Sequence, residues 1–524
     1  MTESVSTSDK ASSAILGGLP RNKESVVLII SVFIAGLCSI IYELLIGTTS
    51  SYFLGDSVKQ FSLTIGFYMA AMGFGSYISR YFTQNLLEKF IGVEILLGLL
   101  GGVSVPVLYL AFAYTNQFEV YKFGFILSIG ALIGLEIPLL TRLMDDYYSL
   151  KVNISNILSL DYFGALIATL LFPFILLPFV GTFKSSLVFG LVNMIIGFIN
   201  LWAFKDELSS YSRKLYFVLS VLATAILTTM LFGSTALLNN WHNQAYEDRV
   251  VFAKQSNYQS VVVTKNKEDI RLFLNGSLQF SSIDEYRYHE SLIHVPMSVG
   301  RDIKNVLILG GGDGMAIREL LKYPQIEHIT LVDLDPVVTE IAISNHYLKT
   351  LNQDSLKNSK VTILNKDAFV FLKESRQKFD FVVSDLPDPN NVSLARLYSI
   401  EFYKFLQNRM SDDAIFVSQA TSPFFAKKTF WCIDRTIKYS GITHTYPYHV
   451  NVPSFAEWGF IMASKSKIDI SKIDIQVETK FLENSTAKNA FLFGKDIKVN
   501  SKSYSSLDSP VVLNYYLSEW KYWN

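Results

Sequence analysis

Carboxylate side chains follow short apolar runs in the second half of the sequence, and they are the residues best suited to chemistry. Asp385 and Asp388 lie in SDLPDP, a turn with two prolines that directly follows the apolar run DFVV. A carboxylate within hydrogen-bond reach of a bound group can take a proton from it, and it can also hold a cation. Asp and Pro both also favour turns that have no catalytic role, so the pair Asp385 and Asp388 alone fits a purely structural turn as well.

A glycine-rich loop contains a further carboxylate. Asp313 lies in GGGDG, residues 310–314, between the apolar run NVLIL and the amphipathic run MAIRELLKY. Such loops often bind phosphate through their backbone N–H groups. Here Met315 stands where the dinucleotide pattern G-x-G-x-x-G has its third glycine, and the G-x-x-x-x-G-K-[ST] pattern is missing. Asp313 would also repel a phosphate, so we expect the loop to hold none.

Two more acidic residues follow predicted strands and indicate a nucleoside. Asp333, in LVDLD, comes about 20 residues after the loop, where an acidic residue commonly binds ribose hydroxyls. Asp367, in LNKDAF, ends the next strand and can accept from the exocyclic amine of an adenine. The same Asp367 also fits a helix N-cap, and both roles are compatible.

The charges of these motifs favour a cationic ligand. We expect Asp313, Asp385 and Asp388 to converge on one rim, and the motifs themselves contain no basic residue. The ligand is therefore predicted to be a nucleoside that carries positive charge, such as a sulfonium, next to an amine. Metal binding is the competing interpretation, but no paired-ligand spacing accompanies the carboxylates, and Cys38 and Cys432 are isolated, so no metal site is predicted.

The elements that must position these residues form an α/β domain. From Asn305 onward, apolar strand-like runs alternate with amphipathic helical runs, which predicts a Rossmann-like, doubly wound methyltransferase-type domain over residues 301–524. Residues 239–300 alternate apolar and polar positions in short runs, with LNGSLQ as a hairpin turn, and predict a small antiparallel β-sheet. DEYRYHESLIHVPMS, at the end of that region, predicts a helix.

The first half of the chain predicts an α-helical membrane domain. Half of all residues are hydrophobic and only 18% are charged, and the apolar residues are concentrated before residue 239. After an N-terminal tail over residues 1–24, residues 25–238 contain seven stretches of roughly the 20 apolar residues that a spanning helix needs. These stretches are residues 25–45, 61–78, 90–113, 123–143, 157–180, 185–203 and 215–238.

The orientation of this domain in the lipid bilayer is open. Lys and Arg are most frequent before the first stretch and in alternate later loops, which places the N-terminus in the cytoplasm and, with seven spans, the C-terminal domain outside. Four carboxylates lie in or near the stretches. Their positions favour span ends and helix breaks over a cation path through the bundle; they are Glu43, Glu94, Glu136 and Asp161.

The combined motifs resemble the spermidine synthase (polyamine aminopropyltransferase) family. GGGDG, LVDLD and SDLPDP, with YQSVVV and YRYHE upstream, carry the resemblance over residues 246–467. YELLIGT, GLEIPLLTR and LSLDYFGAL resemble the multi-span N-terminal domain of some bacterial members. The resemblance implies transfer of the aminopropyl group of decarboxylated S-adenosylmethionine to an amine such as putrescine, which gives spermidine and methylthioadenosine. The nucleoside is then a co-substrate, and no cofactor is implied.

The resemblance also implies roles for single residues. Asp385 is the general base. The residues implied to hold the polyamine are His289, Asp313 and Asp388, with Trp458 as one wall of the amine pocket. The residues implied to hold the nucleoside are Gln259, Gly310, Gly312, Asp333, Asp367 and Ala368.

Several departures and alternatives stay open. Met315 stands where a small residue is usual, and Asp333 replaces a common Glu, which leaves the identity of the amine undecided. The alternatives are an S-adenosylmethionine-dependent methyltransferase and a polyamine-binding sensor or transporter. Because the formal net charge is zero, the chain has no overall basic field that would attract nucleic acid, and no nucleic-acid partner is predicted. The resemblance implies the cell (inner) membrane with a cytoplasmic soluble domain, against the charge count, and a homodimer is one candidate assembly.

Overall fold

The computed structural model describes residues 23–54, 57–145, 147–246, 248–256, 258–300, 302–499 and 502–523. The chain divides into two compact units, Met1–Ala245 and Tyr246–Asn524. Of the predicted N-terminal tail, all but its last two residues lie outside the described residues, and those two begin the first helix.

The first unit is helical. Seven of its helices are long and apolar enough to cross a membrane, as judged by length and composition, which is the number of stretches predicted from the sequence. The helices are α1 (Lys23–Leu54), α2 (Ser57–Ile78), α3 (Leu86–Tyr114), α4 (Phe118–Leu143), α5 (Leu150–Leu171), α6 (Thr182–Ala203), α7 (Ser210–Phe232) and α8 (Ser234–Ala245). A 3₁₀ turn, Ser79–Tyr81, extends α2, and a π-helical segment, Phe172–Val180, continues α5.

Small residues let these helices touch through their backbones. A Cβ atom on Gly134 of α4 would lie 2.0 Å from the carbonyl oxygen of Met72 in α2, so no larger residue fits there. Glu94 is buried inside α3 and not at a span end, whereas the buried Glu136 lies close to Pro138 within α4. The outer surface of the unit is apolar, with Phe174, Phe179 and Phe232 each at least 70% exposed.

The second unit begins with a four-stranded antiparallel sheet in the order β1-β2-β3-β4. Its strands are β1 (Arg249–Gln255), β2 (Ser260–Asn266), β3 (Asp269–Leu274) and β4 (Ser277–Ser281). The predicted hairpin turn is present, since Asn275 and Gly276 both have positive φ, 49° and 78°, as a type I′ turn requires. Residues 239–245, predicted to belong to this sheet region, instead complete helix α8.

A seven-stranded sheet forms the rest of the unit, and its order is β10-β11-β9-β8-β5-β6-β7. The elements are α9 (Glu285–Met297), β5 (Asn305–Gly310), α10 (Met315–Leu320), β6 (His328–Asp333), α11 (Pro336–Ser344), α12 (His346–Asn352), β7 (Val361–Asn365), α13 (Ala368–Glu374), β8 (Phe379–Asp385), α14 (Val392–Ala395), α15 (Ile400–Gln407), β9 (Met410–Gln419), α16 (Lys427–Tyr439), β10 (His444–Val452), β11 (Ala456–Ser464), α17 (Asn484–Asn489) and α18 (Val511–Trp523).

Five neighbouring strands of this sheet, from β9 to the edge strand β7, are parallel, and their burial explains why. Val306, Leu307, Ile308 and Leu309 of β5 are all fully buried, because helices cover both faces of the sheet. The α/β part of the predicted fold is therefore confirmed as Rossmann-like. Two details differ from the sequence prediction: the hairpin β10–β11 adds an antiparallel edge, and PVVTEIAISNHYL forms two helices, because the Asn345 side chain caps α12.

Candidate active site

The parallel strands end at one edge of the large sheet, and the predicted site residues lie there. Where β5 pairs with β8, Gly310 is opposite Asp385, and where β6 pairs with β7, Asp333 is opposite Asn365. Ligands of doubly wound sheets bind beyond the carboxyl ends of the strands. The glycine loop, Asp333 and the SDLPDP turn therefore share the edge at which a ligand is expected.

The glycine loop passes so close to its neighbours that side chains do not fit in it. Gly310 has a φ of 81°, and a Cβ there would lie 2.1 Å from the carbonyl oxygen of Asp385. A Cβ on Gly312 would lie 2.6 Å from Oδ2 of Asp333. These two glycines let the loop approach the residues that end β8 and β6.

Protein carboxylates already occupy the backbone N–H groups of this loop. The Gly312 N–H donates to Oδ2 of Asp333 over 3.0 Å, and the Met315 N–H donates to Oδ1 of Asp313 over 2.8 Å. A phosphate-binding loop directs such N–H groups at its ligand. Here the N–H groups orient two acidic side chains, so the loop presents negative charge to a ligand instead of binding a negatively charged ligand.

Asp385 has a tyrosine partner. The hydroxyl of Tyr288, on α9, donates a hydrogen bond of 2.6 Å to Oδ1 of Asp385. Loss of hydration raises the pKa of Asp385 to about 6, with a further rise from Asp313, while the charge of His289 and the Tyr288 hydrogen bond oppose that rise. At neutral pH Asp385 is therefore mostly ionised yet basic enough to accept a proton.

Two donors hold Asp388 in place. Gln419 Nε2 donates to Oδ1 over 3.2 Å, and Thr421 Oγ1 donates to Oδ2 over 3.1 Å. Loss of hydration raises the pKa of Asp388 to about 6, against the effect of these hydrogen bonds. The second carboxylate of the SDLPDP turn is thus a fixed anion at neutral pH.

His289 is buried and held by an ion pair. Its Nδ1 lies 2.7 Å from Oε2 of Glu285, one turn earlier in α9, and Arg318 binds both oxygens of that carboxylate over 2.9 and 3.0 Å. Burial lowers the pKa of His289, but Glu285, with Asp313 and Asp385, offsets this and raises it to about 8. With no substrate bound, His289 is positively charged among these carboxylates.

The predicted nucleoside residues Asp333 and Gln259 bind different partners. Asp333 accepts from the Gly312 N–H and, over 2.9 Å, from the Asp335 N–H. Loss of hydration raises the pKa of Asp333 to about 6 despite these bonds. Gln259 instead donates to Oδ2 of Asp335 over 3.1 Å, and Ser256 donates to the same oxygen over 2.6 Å. Gln259 thus reaches this edge from the small sheet through Asp335.

Asp367 fulfils its N-cap role and has an additional partner. Its Oδ1 accepts from the Val370 N–H over 3.1 Å at the start of α13, where the adjacent Ala368 is buried. Its Oδ2 forms an ion pair with Arg396, whose guanidinium also faces the ring of Phe369. Arg396 follows the SDLPDP turn in sequence and lies outside the motifs. The rim therefore contains a basic residue, although the motifs themselves contain none.

Trp458 is connected to the site by a row of aromatic rings. Its ring centroid lies 5.0 Å from that of Phe455, which is 6.3 Å from the ring of Tyr288. Its indole Nε1 is buried and has no hydrogen-bond partner among the described residues. This placement near Tyr288 fits a wall of the pocket. In the part of the chain that the structure describes, no group of three or more His, Cys, Asp or Glu side chains is arranged to hold a metal ion.

Comparison with known proteins identifies the family. Residues 285–475 match the model of the spermine/spermidine synthase domain. A polyamine aminopropyltransferase of Leptospira interrogans is 42% identical over 496 residues, which cover 94% of this chain and 98% of the relative. Polyamine aminopropyltransferase 1 of Ralstonia nicotianae is 41% identical and covers 96% of both chains. The chain belongs to the polyamine aminopropyltransferase family.

This membership makes the chain a transferase and confirms the resemblance seen in its motifs. Decarboxylated S-adenosylmethionine is a co-substrate of spermidine synthases and not a bound cofactor. A crystal structure of spermidine synthase in complex with the transition state analogue AdoDATO is 27% identical, with a TM-score of 0.43 over 47% of this chain and 85% of that one.

Four residues of the candidate site are not among those predicted from the sequence. They are Tyr288, Arg396, Gln419 and Thr421. Gln419 ends β9, so the rule that strand ends carry functional residues would have found it. Tyr288 lies beside His289 in YRYHE, but its helical spacing equally suits an apolar helix face, so the sequence alone does not single it out.

Proposed function

We propose that the chain transfers the aminopropyl group of decarboxylated S-adenosylmethionine to putrescine, giving spermidine and methylthioadenosine. The observation that carries this proposal is the carboxylate pair of the SDLPDP turn, in which Asp385 is held by Tyr288 and Asp388 by Gln419 and Thr421. One carboxylate is placed to accept a proton and the other to hold a charged amine.

The step is a displacement at the carbon next to the sulfonium. The lone pair of the attacking amine forms a C–N bond, the C–S bond breaks, and methylthioadenosine leaves with that electron pair. An amine attacks only when it is unprotonated, whereas free amines with a pKa near 10 are mostly ammonium at neutral pH. Asp385, with its pKa of about 6, takes the proton that the reacting nitrogen loses.

The other residues bind and orient the two substrates. Asp388 holds the distal ammonium of the polyamine, and Asp313 adds a further negative charge that attracts the polyamine. Asp333 receives the ribose hydroxyls, and Asp367 receives the adenine amine. His289 is cationic in the free site and gives up its proton when positively charged substrates enter. Nδ1 remains hydrogen-bonded to Glu285, so the other ring nitrogen, Nε2, loses the proton and accepts a hydrogen bond from an ammonium N–H.

A methyltransferase is the weaker alternative. Its donor would be intact S-adenosylmethionine, whose carboxylate would meet the negative rim formed by Asp313, Asp385 and Asp388. A polyamine sensor or transporter would need binding but no general base, and the raised pKa of Asp385 is more useful to an enzyme. Membership of the polyamine aminopropyltransferase family favours aminopropyl transfer over both alternatives.

We also propose that the helical unit spans the cell (inner) membrane and that the second unit lies in the cytoplasm. The large exposed rings of Phe174, Phe179 and Phe232 would be unfavourable in water and suit a bilayer. Decarboxylated S-adenosylmethionine is a cytosolic metabolite, which supports a cytoplasmic active site. With seven crossings the N-terminus then lies outside, against the distribution of Lys and Arg. Reporters fused before Met1 and after Asn524 test this topology directly.

The activity is tested on the full-length protein in detergent, with decarboxylated S-adenosylmethionine and a panel of amines. Methylthioadenosine is followed by mass spectrometry for the wild type, Asp385→Asn and the exposed control Asp412→Asn. We expect product with putrescine in the wild type and the control but not in Asp385→Asn. Turnover of intact S-adenosylmethionine alone would establish the methyltransferase instead. Amine binding without turnover would refute the enzymatic proposal. Light scattering of the same sample tests the homodimer.

A further inference from the structure

The aspartate that precedes helix α9 does not cap that helix. Asp284 is the N-cap residue of α9, and an aspartate at this position usually accepts a hydrogen bond from the backbone of the first turn. Here its side chain makes no such bond, although Asp284 is buried, with only 4% of its surface exposed. Because a buried carboxylate without hydrogen bonds is unfavourable, its oxygens need partners from another part of the chain.

Both oxygens of this carboxylate bind one residue of the turn between β10 and β11. The Ser454 N–H donates to Oδ2 of Asp284 over 2.6 Å, and the Ser454 hydroxyl donates to Oδ1 over 2.8 Å. The two residues are 170 positions apart in the sequence. Two hydrogen bonds from one residue to a charged group fix both the position and the orientation of the turn relative to α9.

The turn between β10 and β11 depends on such contacts from outside. Ala456, which begins β11, has a φ of 63°, a left-handed conformation that is unfavourable for a residue with a side chain. Helix α9 makes a second contact here, in which Arg287 donates to the Asn451 carbonyl over 3.2 Å, but this bond is exposed to solvent. The buried pair of bonds from Asp284 is therefore the stronger connection.

The same turn carries the aromatic rings beside the general base. The ring centroid of Phe455 lies 5.0 Å from that of Trp458 and 6.3 Å from that of Tyr288. The hydroxyl of Tyr288 donates to Asp385. Helix α9 thus contacts both parts of this arrangement, since Tyr288 binds the base and Asp284, one turn earlier, binds the turn that carries the wall.

The position of the hairpin in the sheet assigns this wall to the amine. In the order β10-β11-β9-β8-β5-β6-β7, the hairpin and the pair β6 and β7 lie on opposite sides of β8 and β5. Asp333 and Asp367, which are proposed to bind the nucleoside, lie at the ends of β6 and β7, whereas Asp385 ends β8. Apolar rings on the far side of Asp385 suit the hydrocarbon chain between the two nitrogens of a diamine.

We propose that Asp284 is a positioning residue for the acceptor amine. By binding Ser454 it holds Phe455 and Trp458 at the distance from Asp385 at which their rings contact the hydrocarbon chain of a diamine. Asp284 acts through the turn and not through contact with the substrate. This inference rests on the proposed function, because it assigns the amine to the space between the aromatic wall and Asp385.

The test measures both KM values of Asp284→Ala, Asp284→Asn and the control Glu268→Ala in the full-length protein. Glu268 is an exposed acidic residue between β2 and β3. We expect Asp284→Ala to raise the KM for putrescine about tenfold, the effect of losing hydrogen bonds to a charged group, and to leave the KM for decarboxylated S-adenosylmethionine unchanged. Asp284→Asn keeps an acceptor for the Ser454 N–H and gains a donor for its hydroxyl, so the putrescine KM should rise by less than about threefold. Glu268→Ala should change neither KM.

A double-mutant cycle separates positioning from a general loss of structure. Ser454→Ala removes the hydroxyl bond and leaves the N–H bond to Asp284. It should raise the putrescine KM about threefold in the wild type and have no further effect in the Asp284→Ala background, because the bond is already lost there. Since Ser454 is exposed, its truncation should not prevent folding, and Ser454→Ala decides the question if Asp284→Ala does not fold.

Three results would overturn the inference. They are an unchanged putrescine KM in Asp284→Ala or, if that variant does not fold, in Ser454→Ala; equal rises in both KM values; and additive effects in the cycle. If neither the wild type nor Glu268→Ala forms methylthioadenosine with any amine, the proposed function itself fails. An active control beside an unchanged putrescine KM in the variants refutes only the role of Asp284.

Discussion

The hydrogen bond between Tyr288 and Asp385 gives a quantitative prediction for the pH dependence of the reaction. Tyr288→Phe removes a donor 2.6 Å from the carboxylate and leaves the shape of the ring unchanged. A hydrogen bond to a charged group is worth about 1.5–3 kcal/mol, and one pKa unit corresponds to about 1.4 kcal/mol. The bond favours the ionised carboxylate, so its loss raises the pKa of Asp385 from about 6 by roughly one to two units.

This shift has a consequence for the rate at neutral pH. A base with a pKa of about 6 is roughly nine-tenths ionised at pH 7, whereas one with a pKa of about 7 to 8 is between half and one-tenth ionised. We therefore expect kcat/KM of Tyr288→Phe to fall roughly two- to tenfold at pH 7 and to recover at higher pH. If the substitution only disturbed the structure of the site, kcat/KM would fall by the same factor at every pH.

The assay is the pH profile of kcat/KM for putrescine at saturating decarboxylated S-adenosylmethionine. This quantity reports ionisations of the enzyme before the amine binds, and the ionisation of the amine itself affects only the alkaline side. Tyr286→Phe is the matched control, because Tyr286 lies on the same helix and its ring faces Lys480 at 4.2 Å. If the acid limb of Tyr288→Phe coincides with that of the wild type, Tyr288 does not tune Asp385.

Three further predictions concern stability and donor binding. Because the pKa of His289 is raised, its stabilising effect is complete below about pH 6.5 and is lost as the pH rises through about 8. Glu285→Gln should therefore flatten the pH dependence of the thermal unfolding temperature, and an unaltered dependence would contradict the ion pair. Gly310→Ala places a Cβ 2.1 Å from the backbone of β8 and should destabilise the second unit by more than about 1 kcal/mol, seen as a lower unfolding temperature; unchanged stability would argue against the close contact. Arg396→Gln should lower the KM for decarboxylated S-adenosylmethionine and leave that for the amine unchanged, because it frees Asp367 for the adenine; a higher donor KM would show that Arg396 helps to bind the donor.

The sequence predicts the parallel strands well, because a strand buried on both faces must be a continuous apolar run. NVLIL, HITLV and DFVV are such runs, and their carboxyl ends carry the glycine loop, Asp333 and Asp385. Local patterns fail where a long-range contact decides the structure. The hairpin β10–β11 is stabilised by pairing with β9, and the break between α11 and α12 depends on a cap by Asn345 in an otherwise continuous helical pattern.

The sequence by itself determined which class of chemistry to expect of this protein. The residue types in GGGDG, LVDLD and SDLPDP indicate a cationic nucleoside beside an amine, because carboxylates at strand ends converge whenever the strands are parallel. The seven apolar helices likewise follow from composition alone.

Only the tertiary structure decided which partner each carboxylate has. Tyr288 reaches Asp385, Arg396 reaches Asp367 and Thr421 reaches Asp388 across separations of 29 to 97 residues, and no local pattern encodes such contacts. These partners set the charge and orientation of each carboxylate, because a hydrogen bond or ion pair acts through distance in space and not along the chain.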